Sequence, residues 1–143
     1  MVLAPVLLPS PEAGPAEPSF ERLVADLVGL FQQGVGEALD EHVFNGWALR
    51  VFRWQFQHNP AFRGYCLGRG VTPETVKSWV DVPAVPTGAF KRLRLLSAEE
   101  GREPDAVFHT SGTSRTERRG EHCVARLRVY RATLLPTFRV HLL

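Results

Sequence analysis

Between Leu39 and Trp54 large apolar residues recur at helical spacing: Leu39, Val43, Trp47, Val51 and Trp54, with Phe44, Ala48 and Phe52 beside them. Positions three and four apart share one side of an α-helix, so the run predicts a long helix with a broad apolar stripe. It ends at Asn59-Pro60, because proline disfavours helical backbone at the residue before it. So much aromatic surface has to be covered by the rest of the chain. These rings read as core, not as a binding site.

The flanking segments supply that cover. Ser19 is placed to cap a helix carrying Phe20, Leu23, Val24, Leu27, Leu30 and Phe31, stopped by Gly34. Pro60 suits the first position of a third helix, capped by Asn59, with Phe62, Tyr65 and Cys66 on one face and Gly68 and Gly70 closing it. Thr72-Pro73-Glu74 reads as a further helix start, carrying Val76, Trp79 and Val80. Two prolines make Asp81–Thr87 extended. Leu93–Leu96 reads as a strand, and residues 99–105 as an acidic turn. Two strand-like runs follow, Ala106–Phe108 and His122–Ala125. The last segment is helical, with Leu127, Tyr130, Leu134, Phe138 and Leu142 in a stripe and a kink expected at Pro136. It stays apolar to Leu143 without a cap. The expectation is the front part of a longer protein, with that stripe exposed.

At 143 residues, 44% hydrophobic and 22% charged, the chain is long enough for one domain with its own core. Residues 1–18, rich in Pro, Ala and Glu, read as a disordered leader; residues 19–143 read as the folded unit. The leader lacks the basic start of a signal peptide, and no apolar run reaches the ~18 residues of a membrane span. Cys66 and Cys123 sit in no Cys-x-x-Cys pair, which argues against a disulfide framework and zinc and fits a reducing cytoplasm. Cys66 reads as core and Cys123 as structural. Charge is uneven: residues 1–86 hold 6 basic and 9 acidic side chains, residues 87–143 hold 11 and 6.

The basic half contains the stretch with most chemistry, His109-Thr110-Ser111-Gly112-Thr113-Ser114-Arg115, followed by Arg118 and Arg119. Hydroxyls, small residues and successive backbone N–H groups can form a concavity for an anion. The same residues also suit a plain polar turn between two strands, and both readings stand on this stretch alone. No Gly-x-x-x-x-Gly-Lys-Ser/Thr is present, and Gly34-x-Gly36 and Gly68-x-Gly70 lack the third glycine of a dinucleotide fingerprint. His109 and His122 flank the loop and could touch phosphate, but read first as structural or surface residues. His58 belongs to a helix end. Lys91 and Arg92 read as solvated or partner-facing.

Three blocks together resemble a family. Phe44-Asn45, then Phe52-Arg53-Trp54-Gln55-Phe56-Gln57-His58-Asn59-Pro60-Ala61-Phe62-Arg63-Gly64-Tyr65-Cys66, resemble the opening of bacterial acyl-protein synthetases, the fatty acid–luciferin-component ligases and their relatives. So does Trp79-x-Asp81-Val82-Pro83-x-Val85-Pro86-Thr87-x-Ala89-Phe90-Lys91. Phe108-x-Thr110-Ser111-Gly112-Thr113-Ser114 looks like that family's form of the phosphate loop of adenylate-forming enzymes. Gly120-x-His122 and Leu127-x-x-Tyr130-Arg131-Ala132 fit as well, so the resemblance spans roughly residues 38–140.

The resemblance implies an α/β fold, with N-terminal helices followed by strands around a Ser/Thr/Gly phosphate loop, as part of an adenylate-forming large domain. It implies ATP and Mg2+, a fatty or other carboxylic acid as substrate, and an acyl-acceptor protein or reductase as partner. Nucleic acid is not among the expected partners. Thr110, Ser111, Gly112, Thr113, Ser114 and Arg118 would contact the phosphates. Two departures are visible: Arg115 stands where the superfamily has glycine, and Arg118 near its lysine. No residue matches the superfamily's later catalytic motifs. An acyl- or aryl-coenzyme A ligase is the enzyme alternative, against which the helical Phe44–Gly70 block speaks. A non-catalytic fragment binding anions, nucleic acid or a partner subunit through its basic half is the other.

Overall fold

The computed structural model describes residues 19–33, 38–110 and 119–142. Helix α1 spans Phe20–Gln32, α2 Glu41–His58, α3 Pro60–Leu67 and α4 Leu127–Leu142; strands β1, Ala106–His109, and β2, Glu121–Val124, form an antiparallel pair. The fold is therefore mixed, four helices and a small antiparallel sheet among the described residues. Short 3-10 turns at Trp79–Asp81 and Thr87–Lys91 interrupt the long connection from α3 to β1.

Helix α2 is the centre because it buries two faces. Trp54 joins Phe20, Leu23 and Val24 of α1, with Ala125 and Val129 against them. Turned well over a right angle away, Phe52 joins Phe62, Cys66 and Val76, with Leu49, Phe56 and Val85 around them. The broad stripe expected from the sequence is thus split between two partners, and Leu39 and Phe44, which belong to neither cluster, are exposed.

The starts of these helices are fixed by side chains. Ser19 Oγ accepts from Arg22 N at 3.1 Å, and Asp40 accepts from His42 N and Val43 N. Asn59, buried between α2 and α3, accepts from Phe62 N at 3.0 Å. Its amide nitrogen donates to Ser97 Oγ, and Trp54 Nε1 donates to Ser97 O at 3.1 Å, so one serine ties the 93–98 stretch to α2. Cys66 O accepts from Arg69 N and Val71 N, and Gly70 takes φ +68 in the turn that leaves α3.

Two elements depart from the sequence reading. Leu93–Leu96 is not a strand, because β1 and β2 pair only with each other and leave this stretch no ladder to join. The helix begun at Thr72 lasts a single turn. Asn45 then accepts from Trp79 N at 2.7 Å and donates to Lys77 O, which holds the chain open there. Val76 is buried as expected, but Trp79 and Val80 are exposed.

Helix α4 packs on α1 through Val129, which joins that cluster, with Ala132 buried one turn on. Tyr130, Leu134 and Phe138 face outward, as does Val140, and Pro136 lies within the helix. The α4 start carries no capping side chain of its own. Asp105 supplies one from across the hairpin base, its carboxylate accepting from Leu127 N at 3.0 Å.

His58 closes the aromatic stack of α2, 3.6 Å from Trp54, which stacks in turn on Phe20. Burial lowers the His58 pKa, with Glu99 pulling the other way. A histidine held neutral in the fold takes up its proton more readily when unfolded. Its contribution is therefore present above its ordinary pKa of about 6.5 and is lost as pH falls through its lowered folded value. Urea midpoints at pH 7.5 and 5.5 should separate more in the native chain than in His58→Gln. Equal separations would remove His58 from the account.

Candidate functional site at the hairpin neck

The strand register pairs Ala106 with Val124, Val107 with Cys123, Phe108 with His122 and His109 with Glu121. Beyond the ladder, Thr110 N donates to Gly120 O at 2.9 Å, and Gly120 N donates to Thr110 Oγ1 at 2.9 Å. Thr110 and Gly120 thus clasp the two ends of the segment between them. The stretch read as the phosphate loop stands in the chain between two paired strands. Of the expected contact residues, Thr110 belongs to this neck. Ser111, Gly112, Thr113, Ser114 and Arg118 lie outside the described residues, as does Arg115.

Gly120 is buried, and a Cβ there would meet Thr110 Cγ2 at 3.3 Å and the Phe90 carbonyl oxygen at 3.4 Å. Close approach therefore explains this glycine. The Phe90 ring lies 5.5 Å from the ring of His122. The Thr87–Lys91 turn is thereby pressed against β2, joining the second and third of the sequence blocks in space. Sequence reasoning missed this contact. Its signal was Pro83 and Pro86, which hold the approach to that turn extended.

His109 and His122 are exposed on the hairpin. Cys123 is buried, as is Cys66, which is fully enclosed at 0% exposure. Burial pushes the Cys66 thiol pKa up, while the Arg69 charge pulls it down. A thiol so placed is a poor nucleophile. Native-state modification by a bulky disulfide reagent should run roughly 10³-fold or more below the rate in urea, following the small opened fraction. Rapid native labelling of Cys66 would overturn its place in the core.

The basic half is more committed internally than its composition implies. Arg126 and Arg128 reach Glu21 at 2.6 and 2.7 Å, Arg102 joins them at 3.5 Å, and Arg126 also meets Asp105 at 3.2 Å. Arg94 pairs with Glu103. These bridges lock α1 to the hairpin base and α4, and they weaken the case for a general basic docking face. No group of three or more His, Cys, Asp or Glu among the described residues could hold a metal ion. No described helix is long and apolar enough to cross a membrane.

The family model described as "Acyl-protein synthetase, LuxE" matches residues 32–133. That is most of the chain, and it contains α2, α3, the Thr87–Lys91 turn and the whole hairpin. The chain belongs to the acyl-protein synthetase family. A long-chain-fatty-acid–luciferin-component ligase of Photorhabdus luminescens is 35% identical over 66 residues, covering 46% of this chain and 55% of that protein. The chain therefore spans little more than half of that relative. No solved structure matches. For an acyl-protein synthetase, the neck at Thr110 and Gly120 is where the resemblance in the third block meets described geometry.

Proposed function

We propose that this chain is part of an ATP-dependent synthetase that activates a long-chain fatty acid for transfer to a protein thiol. A carboxylate oxygen of the acid attacks the α-phosphorus of ATP, and the bond from that phosphorus to the bridging oxygen breaks. Acyl-adenylate forms and pyrophosphate leaves. The acyl carbon then passes to a cysteine of an acceptor protein or reductase partner, releasing AMP. The observation that carries this reading is the family match over residues 32–133, which encloses the clasped hairpin.

On this reading residues 19–143 contribute the phosphate-holding part of an adenylate-forming domain, after a leader of residues 1–18. Negative charge grows on the bridging oxygen as pyrophosphate departs, and fixed donors stabilise it there. Thr110 is suited to that role because its hydroxyl accepts from Gly120 N and retains its own proton to donate. Ser111, Thr113 and Ser114 add hydroxyls and N–H groups, Gly112 lets the backbone approach, and Arg118 adds charge. Each donor to a charged oxygen contributes ~1.5–3 kcal/mol. Mg2+ would be carried in mainly by the phosphates, a common arrangement for this ion. A reducing cytoplasm, which keeps an acceptor thiol free, is the proposed setting.

The test is pyrophosphate exchange into ATP with magnesium and a long-chain fatty acid, alongside ATP titration followed by thermal shift. Saturable ATP binding and exchange that needs the acid support the reading. A folded chain that binds no ATP rejects it.

A further inference from the structure

Helix α4 meets the fold along one side of its first half. Val129 joins the α1 cluster and Ala132 is buried, but from Thr133 to His141 every residue except Pro136 is exposed. Tyr130, Leu134 and Phe138 follow one another four apart on one side of the helix, with Leu135 beside them. The Phe108 ring of β1 lies 5.7 Å from that of Tyr130, so the apolar surface runs from the hairpin along the helix. Its charges are of one sign. From His122 to Leu143 the chain has no Asp or Glu, and α4 carries Arg128, Arg131 and Arg139. Arg128 is held by Glu21. Arg131 and Arg139 are exposed and meet no carboxylate among the described residues. Arg131 stands one turn before Leu135 and Arg139 one turn after it, so cations bracket the apolar side chains.

We propose that this face rests on an anionic lipid bilayer, with Leu134, Leu135 and Phe138 entering the headgroup boundary and Arg131 and Arg139 meeting lipid phosphates. A helix lying in that plane is held by its buried apolar area and by attraction to anionic lipid together. Long arginine stems lie along apolar surface while their charged heads stay with the phosphates. Charge decides between occupants. A second copy of this chain would set cation against cation, with no carboxylate on either α4. An uncharged apolar groove would cover the leucines and leave both guanidinium groups without a counter-charge. An anionic surface answers both features at once. The assignment goes beyond the acyl-activating reading and does not depend on it.

The experiment sediments the unmodified chain with vesicles of phosphatidylcholine and phosphatidylglycerol in equal parts, and with vesicles of phosphatidylcholine alone. Binding is expected to the anionic vesicles, to be far weaker on the neutral ones, and to fall as salt is raised. Arg131→Ala with Arg139→Ala should weaken anionic-vesicle binding about five-fold per arginine. Phe138→Glu should weaken it about ten-fold or more, with an unchanged denaturation midpoint because that side chain is exposed. A second readout places the contact. Cys66 and Cys123 are buried, so Leu134→Cys offers an accessible thiol for an environment-sensitive dye. Its emission should shift to the blue on anionic vesicles.

A folded chain that stays in the supernatant with anionic vesicles overturns the proposal. Equal binding to both kinds of vesicle overturns the part given to the arginines and with it the anionic surface. Sedimentation that survives Phe138→Glu, or a dye at position 134 that does not shift, would mean that another face meets the lipid. A concentration-dependent dimer that Phe138→Glu dissociates, without vesicle binding, would give this face to a second copy instead.

Discussion

Phe52→Ala should lower the unfolding free energy by about 3–5 kcal/mol, the usual cost of emptying a buried phenylalanine site. Phe52 is 2% exposed and meets Phe62 and Phe56 edge-on, with ring centroids 6.0 and 6.1 Å away. Removing it forfeits both ring contacts, each contributing ~0.5–1.5 kcal/mol beyond its area. Cys66 and Val76, which share its cluster, cannot collapse into the gap without moving α3 or the 71–76 turn. Domains of this size are stable by only about 5–15 kcal/mol. The variant should therefore be partly unfolded near 37 °C, and its urea midpoint should fall by a large fraction. Phe138→Ala is the control: the same residue type, 53% exposed on α4, should shift stability by no more than about 0.5 kcal/mol. Similar losses in the two variants would mean that the second face of α2 is not a core.

That contrast shows what periodicity can and cannot supply. Helix positions, the Ser19 and Asn59 caps and both strands were legible, because capping chemistry and residue spacing are local. Which face of a helix meets which partner is not local. The stripe of α2 turned out to serve two clusters, since residues 52 and 54 point to nearly opposite sides. On α4 the stripe of Tyr130, Leu134 and Phe138 is exposed as expected, but the face that meets α1, Val129 with the buried Ala132 one turn on, was not singled out. Leu93–Leu96 looked like a strand because a short apolar run broken by one polar residue suits a pleated surface, whether or not a neighbouring strand exists. The Asp105 cap on α4 and the Glu21 hub join residues some twenty and a hundred positions apart, beyond the reach of any window. At the candidate site the loop's composition was visible, and so was its place between strands. The clasp of Thr110 to Gly120 and the pressure of Phe90 on the neck were not.

The neck itself separates two ways of losing the proposed activity. Gly112→Val places a branched side chain where the loop backbone would approach phosphate. On the proposed reading it should cut fatty-acid-dependent pyrophosphate exchange by ~10²–10³, the usual loss when one stabilising donor is displaced. The urea midpoint should stay where it was, because the clasp itself is made by Thr110 and Gly120, which this variant leaves in place. Gly120→Val acts differently. Even a Cβ at Gly120 would sit 3.3 Å from Thr110 Cγ2 and 3.4 Å from Phe90 O, so two further methyls have no room. Overpacking of this kind costs about 1–3 kcal/mol, and parting the clasp leaves the Gly120 N–H without Thr110 Oγ1. Both stability and exchange should fall in that variant. Gly120→Ala needs only a few tenths of an ångström of give and should show the same pattern, reduced. Thr110→Val keeps the shape of the neck but removes the hydroxyl, and Thr110→Ser should restore what is lost. Exchange that survives Gly112→Val at full rate would remove the loop from phosphate binding and leave the hairpin a structural element of the fold.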